Sequence, residues 1–313
     1  MKGTSSRAPV RRPLAKLKSA AHRLRRSWLR ESSADFWTRY NVTGHHTFAT
    51  AEESLAYFEW RSDQYIDYLR LMPVAGQQDR VVLDFGCGPG HDLVGFATAS
   101  RPLRLIGIDV SAPSLEQTRA RLALHGCTPE LHQIKEGESR LPLADGSVDY
   151  IHSSGVLHHI ADPVGVLREF RRVLRPGGEV RVMVYNADSL WLHLHVAYVV
   201  RILQGMYAHL PIRDAFSRFT DGEECPLANV YTASEFAAVA AAGGFDCEYL
   251  GAALAVAELA DWPLRCDAIA NPALEPEHRR WLLSLETDHR GLPTYGGTLA
   301  GHDGCFRLTP RPL

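Results

Sequence analysis

The sequence predicts an α/β fold, a doubly wound and mostly parallel sheet with helices on both faces. Three observations carry that prediction. Between residues 81 and 185, short β-rich runs alternate with helical stretches, the pattern of βαβ crossovers. A glycine-rich turn, Gly86-Cys87-Gly88-Pro89-Gly90, follows the first run directly. The composition is that of a globular chain: 45% hydrophobic and 22% charged over 313 residues, enough for one large domain or a domain with extensions.

The elements follow in order. Residues 1–33 form a basic arm. Within 14–30 (LAKLKSAAHRLRRSWLR), Leu14, Leu17, Ala21, Leu24 and Trp28 share one helical face, with Lys and Arg on the other sides. Residues 34–78 form a helical lid rich in aromatics, with a helix entered from Thr50 or Ser54 and acids in its first turn. The core, 79–186, holds strands VVLDF (81–85), LRLIGID (103–109), ELHQIK (130–135), VDYIHSS (148–154) and EVRVMVY (179–185). Helices begin near 91, 113 and 163, and RPGGE (175–179) is expected to end a helix with a glycine cap. Residues 187–232 interrupt the alternation with a helical and looped insertion. Residues 233–313 return to the sheet through a helix at 233–243 and strands FDCEYLG (245–251) and CFRL (305–308).

Charge is lopsided. The first 30 residues carry ten Lys/Arg and no acid, leaving 24 basic against 36 acidic residues in the rest. A basic amphipathic arm with an interfacial Trp suits an anionic membrane surface or an acidic protein, whereas the acidic body argues against a nucleic-acid partner. No run is apolar enough to span a bilayer and no signal-peptide core is present, so a cytoplasmic protein, peripheral at the membrane through its arm, is expected. The six cysteines show no CxxC pairing, which points to reduced thiols and no metal site.

The chemistry concentrates at the strand ends. Asp84 closes the first strand, and Gly86 and Gly88 permit a tight turn and close backbone approach to a ligand. A dinucleotide turn would place its third glycine at 91, which is His91, and no GK[ST] follows for a triphosphate. GxGxG behind an acid suits S-adenosylmethionine (SAM), whose ammonium Asp84 can attract. Asp109, ending the second strand, is placed to accept ribose hydroxyls. Glu138 and Ser139 fall in the loop after the third strand, where an adenine edge would lie. Ser153-Ser154-Gly155-Val156-Leu157-His158-His159 begins at the end of the fourth.

The stretches VVLDFGCGPGHD, IGIDVS (106–111), LPLADGSVDYIHSSGVLHHIADP (141–163) and LREFRRVLRPGGEV (167–180) resemble the class I, Rossmann-like SAM-dependent methyltransferases of the type 11 branch. The likeness covers about 79–186. It implies a seven-stranded Rossmann-like sheet with one antiparallel strand, an N-terminal helical extension and an insertion before the last two strands. It also implies SAM across Asp84, Gly86, Cys87, Gly88 and Gly90, ribose on Asp109, and further contacts from Val110, Glu138, Ser139 and Ser153. In that frame Arg61 would pair with the SAM carboxylate.

Methyl transfer needs alignment first, and a base helps when the acceptor is a hydroxyl or acidic carbon. His158 and His159 are the base candidates, set against a purely structural role for the pair. The lid aromatics Trp37, Tyr40, Tyr57, Trp60 and Tyr65, with Trp191, Tyr198 and Tyr207 of the insertion, are expected around the acceptor. The chain has SSGV where amino-methylating enzymes of that class carry [DNS]PP[YFW]. The expected acceptor is therefore a small molecule, lipid or glycan, with oxygen favoured over carbon or nitrogen. The alternatives are a non-catalytic SAM-binding scaffold and a NAD-dependent oxidoreductase.

Overall fold

In a computed structural model, residues 32–41, 45–138 and 140–312 are described. Residues 1–31, nearly all of the basic arm, and Ser139 lie outside the described residues. Seven main strands form the sheet: β1 (Val81–Phe85), β2 (Arg104–Asp109), β3 (Glu130–Gln133), β4 (Val148–Ser154), β5 (Leu174–Tyr185), β6 (Phe245–Ala255) and β7 (Asp303–Pro310). A two-residue strand, Tyr65–Ile66, adds an eighth at the edge beside β6. Across the sheet the order is Tyr65–Ile66, β6, β7, β5, β4, β1, β2, β3. Strands β1 to β5 pair in parallel, and β7 runs antiparallel to both β5 and β6.

Strand β1 is buried along its whole length, as a central strand covered on both faces must be. Alternation divides its side chains between two cores. Val81, Leu83 and Phe85 join Leu167, Phe170 and Val173 on one face, while Val82 joins Phe58, Phe96 and Leu122 on the other. The first face is covered by α6 (Pro163–Val173) and α9 (Ala233–Ala242). The second is covered by α2 (Ala51–Asp63), α4 (His91–Gly95) and α5 (Ala112–Leu124). Thr50 caps α2, its side chain accepting from Glu53 N at 3.2 Å, and Thr232 and Glu235 form a capping box on α9.

The structure corrects the expected cap at RPGGE. Helix α6 ends at Val173, and Leu174 is already extended and paired, so β5 begins five residues before the expected strand. Pro176 forces the chain before it out of the helical region, ending the helix ahead of the glycines. Between β6 and β7 lie α10 (Val256–Leu259), α11 (Arg265–Ala270), α12 (Pro276–Leu283) and a small antiparallel sheet of Glu286–Thr287, Pro293–Tyr295 and Thr298–Leu299. The strand–helix alternation anticipates none of these. They bury Ala268, Trp281 and Leu282 against Leu190, Leu194 and Tyr198, the last two on α7 (Trp191–Leu203), as a separate apolar cluster. Helix α8 (Ile212–Thr220) completes the insertion, and α1 (Ser33–Arg39) and α3 (Tyr68–Leu71) lie at the N-terminal side. No described helix is long and apolar enough to cross a membrane.

Candidate active site

Strand order reverses between β1 and β4, and a cavity of about 610 Å³ opens at their C-terminal ends, within the ~300–1,000 Å³ usual for small-molecule sites. At one end are Asp84, Gly86, Cys87, Gly88, Asp109, Val110 and Glu138. At the other are Tyr65, Tyr185, Asp221, His302 and Asp303. Arg61 and His159 also line the wall.

The glycine turn is held from both sides. Asp109 accepts Gly88 N and Ser111 N, each at 2.8 Å, so one carboxylate pins the turn and the start of α5 together. Gly86 has φ +78°, and a Cβ there would lie 2.2 Å from Val156 Cγ2. Only glycine fits that contact. Gly88, at φ +50°, has nothing within 4 Å of a would-be Cβ, so its backbone faces open space in the chamber. Burial pushes the Asp84 carboxyl up, His152 opposes this, and Asp92 and Asp109 add to it. An acid held neutral by burial, facing a cavity, is the partner a ligand's ammonium would restore to charge. The glycine cradle, the Asp109 carboxylate beside it and the buried acid therefore fit SAM.

Beneath Asp84 lies a buried polar chain. His152 Nε2 is 3.2 Å from Asp92 Oδ2, and the Tyr68 hydroxyl lies 3.1 Å from the same oxygen and 2.7 Å from Ser154 Oγ. Burial raises Asp92, but the hydrogen bond and charge of His152 outweigh it and hold the carboxyl well below its usual range.

At the far end, Glu258 is almost wholly buried and accepts from Ala255 N at 3.0 Å, Trp191 N at 3.1 Å and His302 N at 3.2 Å. It also holds His302 Nδ1 at 2.9 Å, while His302 Nε2 lies 3.2 Å from Asp303 Oδ1. Burial lowers the His302 imidazole, but the charges of Asp303 and Glu258 and the Glu258 hydrogen bond outweigh it, raising it to about 9. His302 is thus an imidazolium at neutral pH, fixed between two carboxylates in the chamber wall.

Three site residues named from the sequence do not line the chamber. Gly90 caps α4 instead, and Thr118 of α5 packs so close that a Cβ would lie 2.9 Å from its methyl. Ser153 is buried in β4 with its hydroxyl unbonded, and strand alternation leaves Ser154 on the wall. His158 stacks on the Tyr185 ring at 3.8 Å, fully buried, with both ring nitrogens unbonded. Burial holds its imidazole far below the usual value, so it is a neutral packing group. His159, its neighbour, faces the chamber, with Nδ1 2.6 Å from Leu227 O and its ring 4.6 Å from Trp37.

Of the expected acceptor aromatics, Trp37 and Tyr65 line the wall, whereas Tyr40 and Trp60 are exposed and Tyr57 packs on Phe48 and Trp60. Helical phase explains this, since Ser54, Phe58 and Ser62 are the residues α2 turns inward. Trp191, Tyr198 and Tyr207 are likewise absent from the wall, and the insertion contributes Asp221 instead. Helix α1 roofs the cofactor end. Ser33 N and Oγ each donate to Glu136 at 2.8 Å, Thr38 Oγ1 lies 2.8 Å from Ser111 Oγ, and Arg39 pairs with Glu224 at 2.8 Å. Tyr68, Asp92, Cys225, Glu258, His302 and Asp303 had no signature in the sequence. Only Asp92 lay inside a quoted motif, and the others meet the site from distant segments.

A parallel sheet, a glycine turn after its first strand and an acid ending its second define a class I nucleotide-type ligand site. Residues 83–182 match the family model described as a methyltransferase domain. That segment is a class I SAM-dependent methyltransferase domain of the type 11 branch, and its cofactor is SAM.

Relatives share the same region. A 37.1 kDa protein of transposon TN4556 from Streptomyces fradiae is 47% identical over 110 residues, covering 34% of this chain and 31% of that protein. A tRNA U34 carboxymethyltransferase of Shewanella sp. (strain ANA-3) is 38% identical over 134 residues, covering 42% of this chain and 39% of that protein. The matches therefore span less than two fifths of those relatives' length. Among solved structures, the geranyl diphosphate C-methyltransferase of Streptomyces coelicolor A3(2) aligns at TM-score 0.48 and 15% identity, covering 90% of this chain and 97% of that one.

The tRNA enzymes correct one expectation. The acidic body had argued against a nucleic-acid partner, yet relatives that share this core carry tRNA U34 carboxymethyltransferase names. Net charge sets only an average field, so an acidic body does not by itself exclude a nucleic-acid partner for a chain with ten basic residues in its first 30.

Proposed function

We propose that this chain is a SAM-dependent methyltransferase whose acceptor presents its nucleophile to the end of the chamber walled by Tyr65, Tyr185, Asp221, His302 and Asp303. The observation that carries this is continuity: one cavity joins the glycine turn and Asp109 to that second wall. SAM, when bound, supplies an electrophilic methyl group on a sulfonium. The chain's own residues do the rest. Asp109 would take the ribose, Val110 and Glu138 the adenine side, and Asp84 and Arg61 the ammonium and carboxylate of the amino-acid end. The roof of α1 excludes water, strengthening polar interactions inside. Alignment of this kind can be worth roughly 7–11 kcal/mol, so positioning outweighs a base, which adds about 10²–10⁴-fold.

A second reading is a tRNA base as acceptor, favoured by the names of the Shewanella relatives. Trp37 and Tyr185 would offer stacking faces, and the basic first 30 residues would offer phosphate contacts.

The test has two stages. Calorimetry with SAM, S-adenosylhomocysteine and NAD comes first, and NAD binding without SAM binding refutes the proposal. Methyl-labelled SAM is then incubated with total tRNA and, separately, with a small-metabolite extract. Label in tRNA selects the second reading and label in the extract the first. Tight SAM binding with label in neither supports a scaffold instead.

A further inference from the structure

The sequence spacing of cysteines and histidines argues against a metal site, but the fold assembles donors that the spacing hides. His159 follows β4, Asp221 caps the end of α8, and Cys225 lies in the loop beyond it. One ligand atom from each falls within 4.8 Å of the others. We propose that His159, Asp221 and Cys225 bind one zinc-class divalent ion at the acceptor end of the chamber.

Four observations support it. The donor set is an imidazole, a carboxylate and a thiol, which is zinc chemistry rather than that of magnesium or calcium. The Tyr185 hydroxyl donates to Asp221 Oδ1 at 2.8 Å and orients the carboxylate, while Oδ2 is buried without a hydrogen-bond partner. An outer hydrogen bond fixing a ligating group, with a free lone pair turned inward, is typical of a metal ligand's surroundings. Third, Leu227 O accepts from both His159 Nδ1, at 2.6 Å, and Cys225 Sγ, at 3.4 Å. One carbonyl thus orients both side chains and holds the His159 tautomer whose lone pair lies on Nε2. Finally, the loop is anchored to the histidine turn, Asn229 N donating to His158 O at 2.9 Å.

The imidazole stays neutral, keeping its Nδ1 proton on Leu227 O and giving the Nε2 lone pair, and the Asp221 carboxylate gives a second. The Cys225 thiol loses its proton to solvent and binds as thiolate. Three protein ligands leave one tetrahedral position for a water or the acceptor. His159 and Asp221 lie in the chamber wall, so a group in that position would be reachable from the chamber. An oxygen or sulfur nucleophile bound there would lose its own proton more readily, so the ion would do the work for which a histidine base had been sought. This catalytic use rests on the proposed methyl transfer, whereas metal binding does not.

The test reads the metal and not turnover. The full chain is stripped with EDTA, dialysed and titrated with Co²⁺, then assayed for zinc content after reloading. The expected result is one metal per chain, with a near-ultraviolet thiolate-to-cobalt band. Cys225→Ser should abolish the band, and Asp221→Asn should weaken cobalt binding about tenfold or more. Cys266→Ser, at an exposed cysteine outside the site, should leave both unchanged. Circular dichroism checks each variant's fold, and if Cys225→Ser fails to fold, Asp221→Asn decides. The proposal is overturned if the wild type shows no thiolate band, if folded Cys225→Ser keeps it, or if Asp221→Asn binds cobalt as tightly as the wild type. SAM calorimetry on the stripped chain separates this outcome from failure of the methyltransferase reading.

Discussion

Replacing His302 by Gln removes the one imidazolium clamped between Glu258 and Asp303. The groups that face it are those two carboxylates, Asp221, the His158 imidazole, and the Tyr65, Tyr185 and Trp191 rings. Its folded value of about 9, against the ~6.5 of a free imidazole, corresponds to about 3 kcal/mol at about 1.36 kcal/mol per unit. Because the folded value is raised, this stability is fully present below pH ~6.5 and is lost as pH rises through ~9. At pH 7.5 about 2 kcal/mol remains. Urea unfolding of wild type and His302→Gln from pH 6 to 9.5 measures the difference directly. The wild type should lose about 3 kcal/mol more than the variant over that span. Parallel curves for the two proteins would refute the assignment of a charged His302. An ordinary imidazole titration by NMR in the wild type would do the same.

Other outcomes follow from the cofactor end. Because burial holds Asp84 protonated well above the usual carboxyl range, SAM binding near pH 6.5 should release a proton, and affinity should rise with pH. Calorimetry in buffers of different ionisation enthalpy counts that proton, and Asp84→Asn should abolish both the release and the pH slope. Gly86→Ala forces a methyl to 2.2 Å from Val156 in a left-handed backbone, a conflict of at least about 1–3 kcal/mol. Lowered thermal stability and loss of SAM binding are expected, and unchanged values for both would show that the turn can relax.

Much of the fold around the glycine turn was legible because its signals are local. VVLDF, bounded by an arginine before and a glycine turn after, became β1 at its stated limits, and VDYIHSS became β4 in the same way. The far wall of the chamber was not legible, because its contacts join residues far apart. Tyr185 meets Asp221, and Glu258 meets His302, across segments with no shared period. The short helices between β6 and β7 escaped for a related reason. Each is too brief to show a 3.6-residue repeat and is held by tertiary packing rather than propensity. His158 and His159 show the limit of motif reasoning. Adjacent in sequence, they have opposite surroundings, one sealed behind a tyrosine ring and one open to the cavity.

The position of β7 between β5 and β6 has a consequence for how the chain reaches this state. Its two neighbours end at Tyr185 and Ala255, while β7 itself starts only at Asp303. Until it arrives, β5 has one unpaired edge and β6 is paired only with Tyr65–Ile66, which leaves a gap in the sheet between them. Closing that gap requires ordering a long intervening segment first, which makes strand insertion a slow step. A foreign strand entering the slot during that interval would be a direct route to aggregation, so refolding yield should fall with protein concentration.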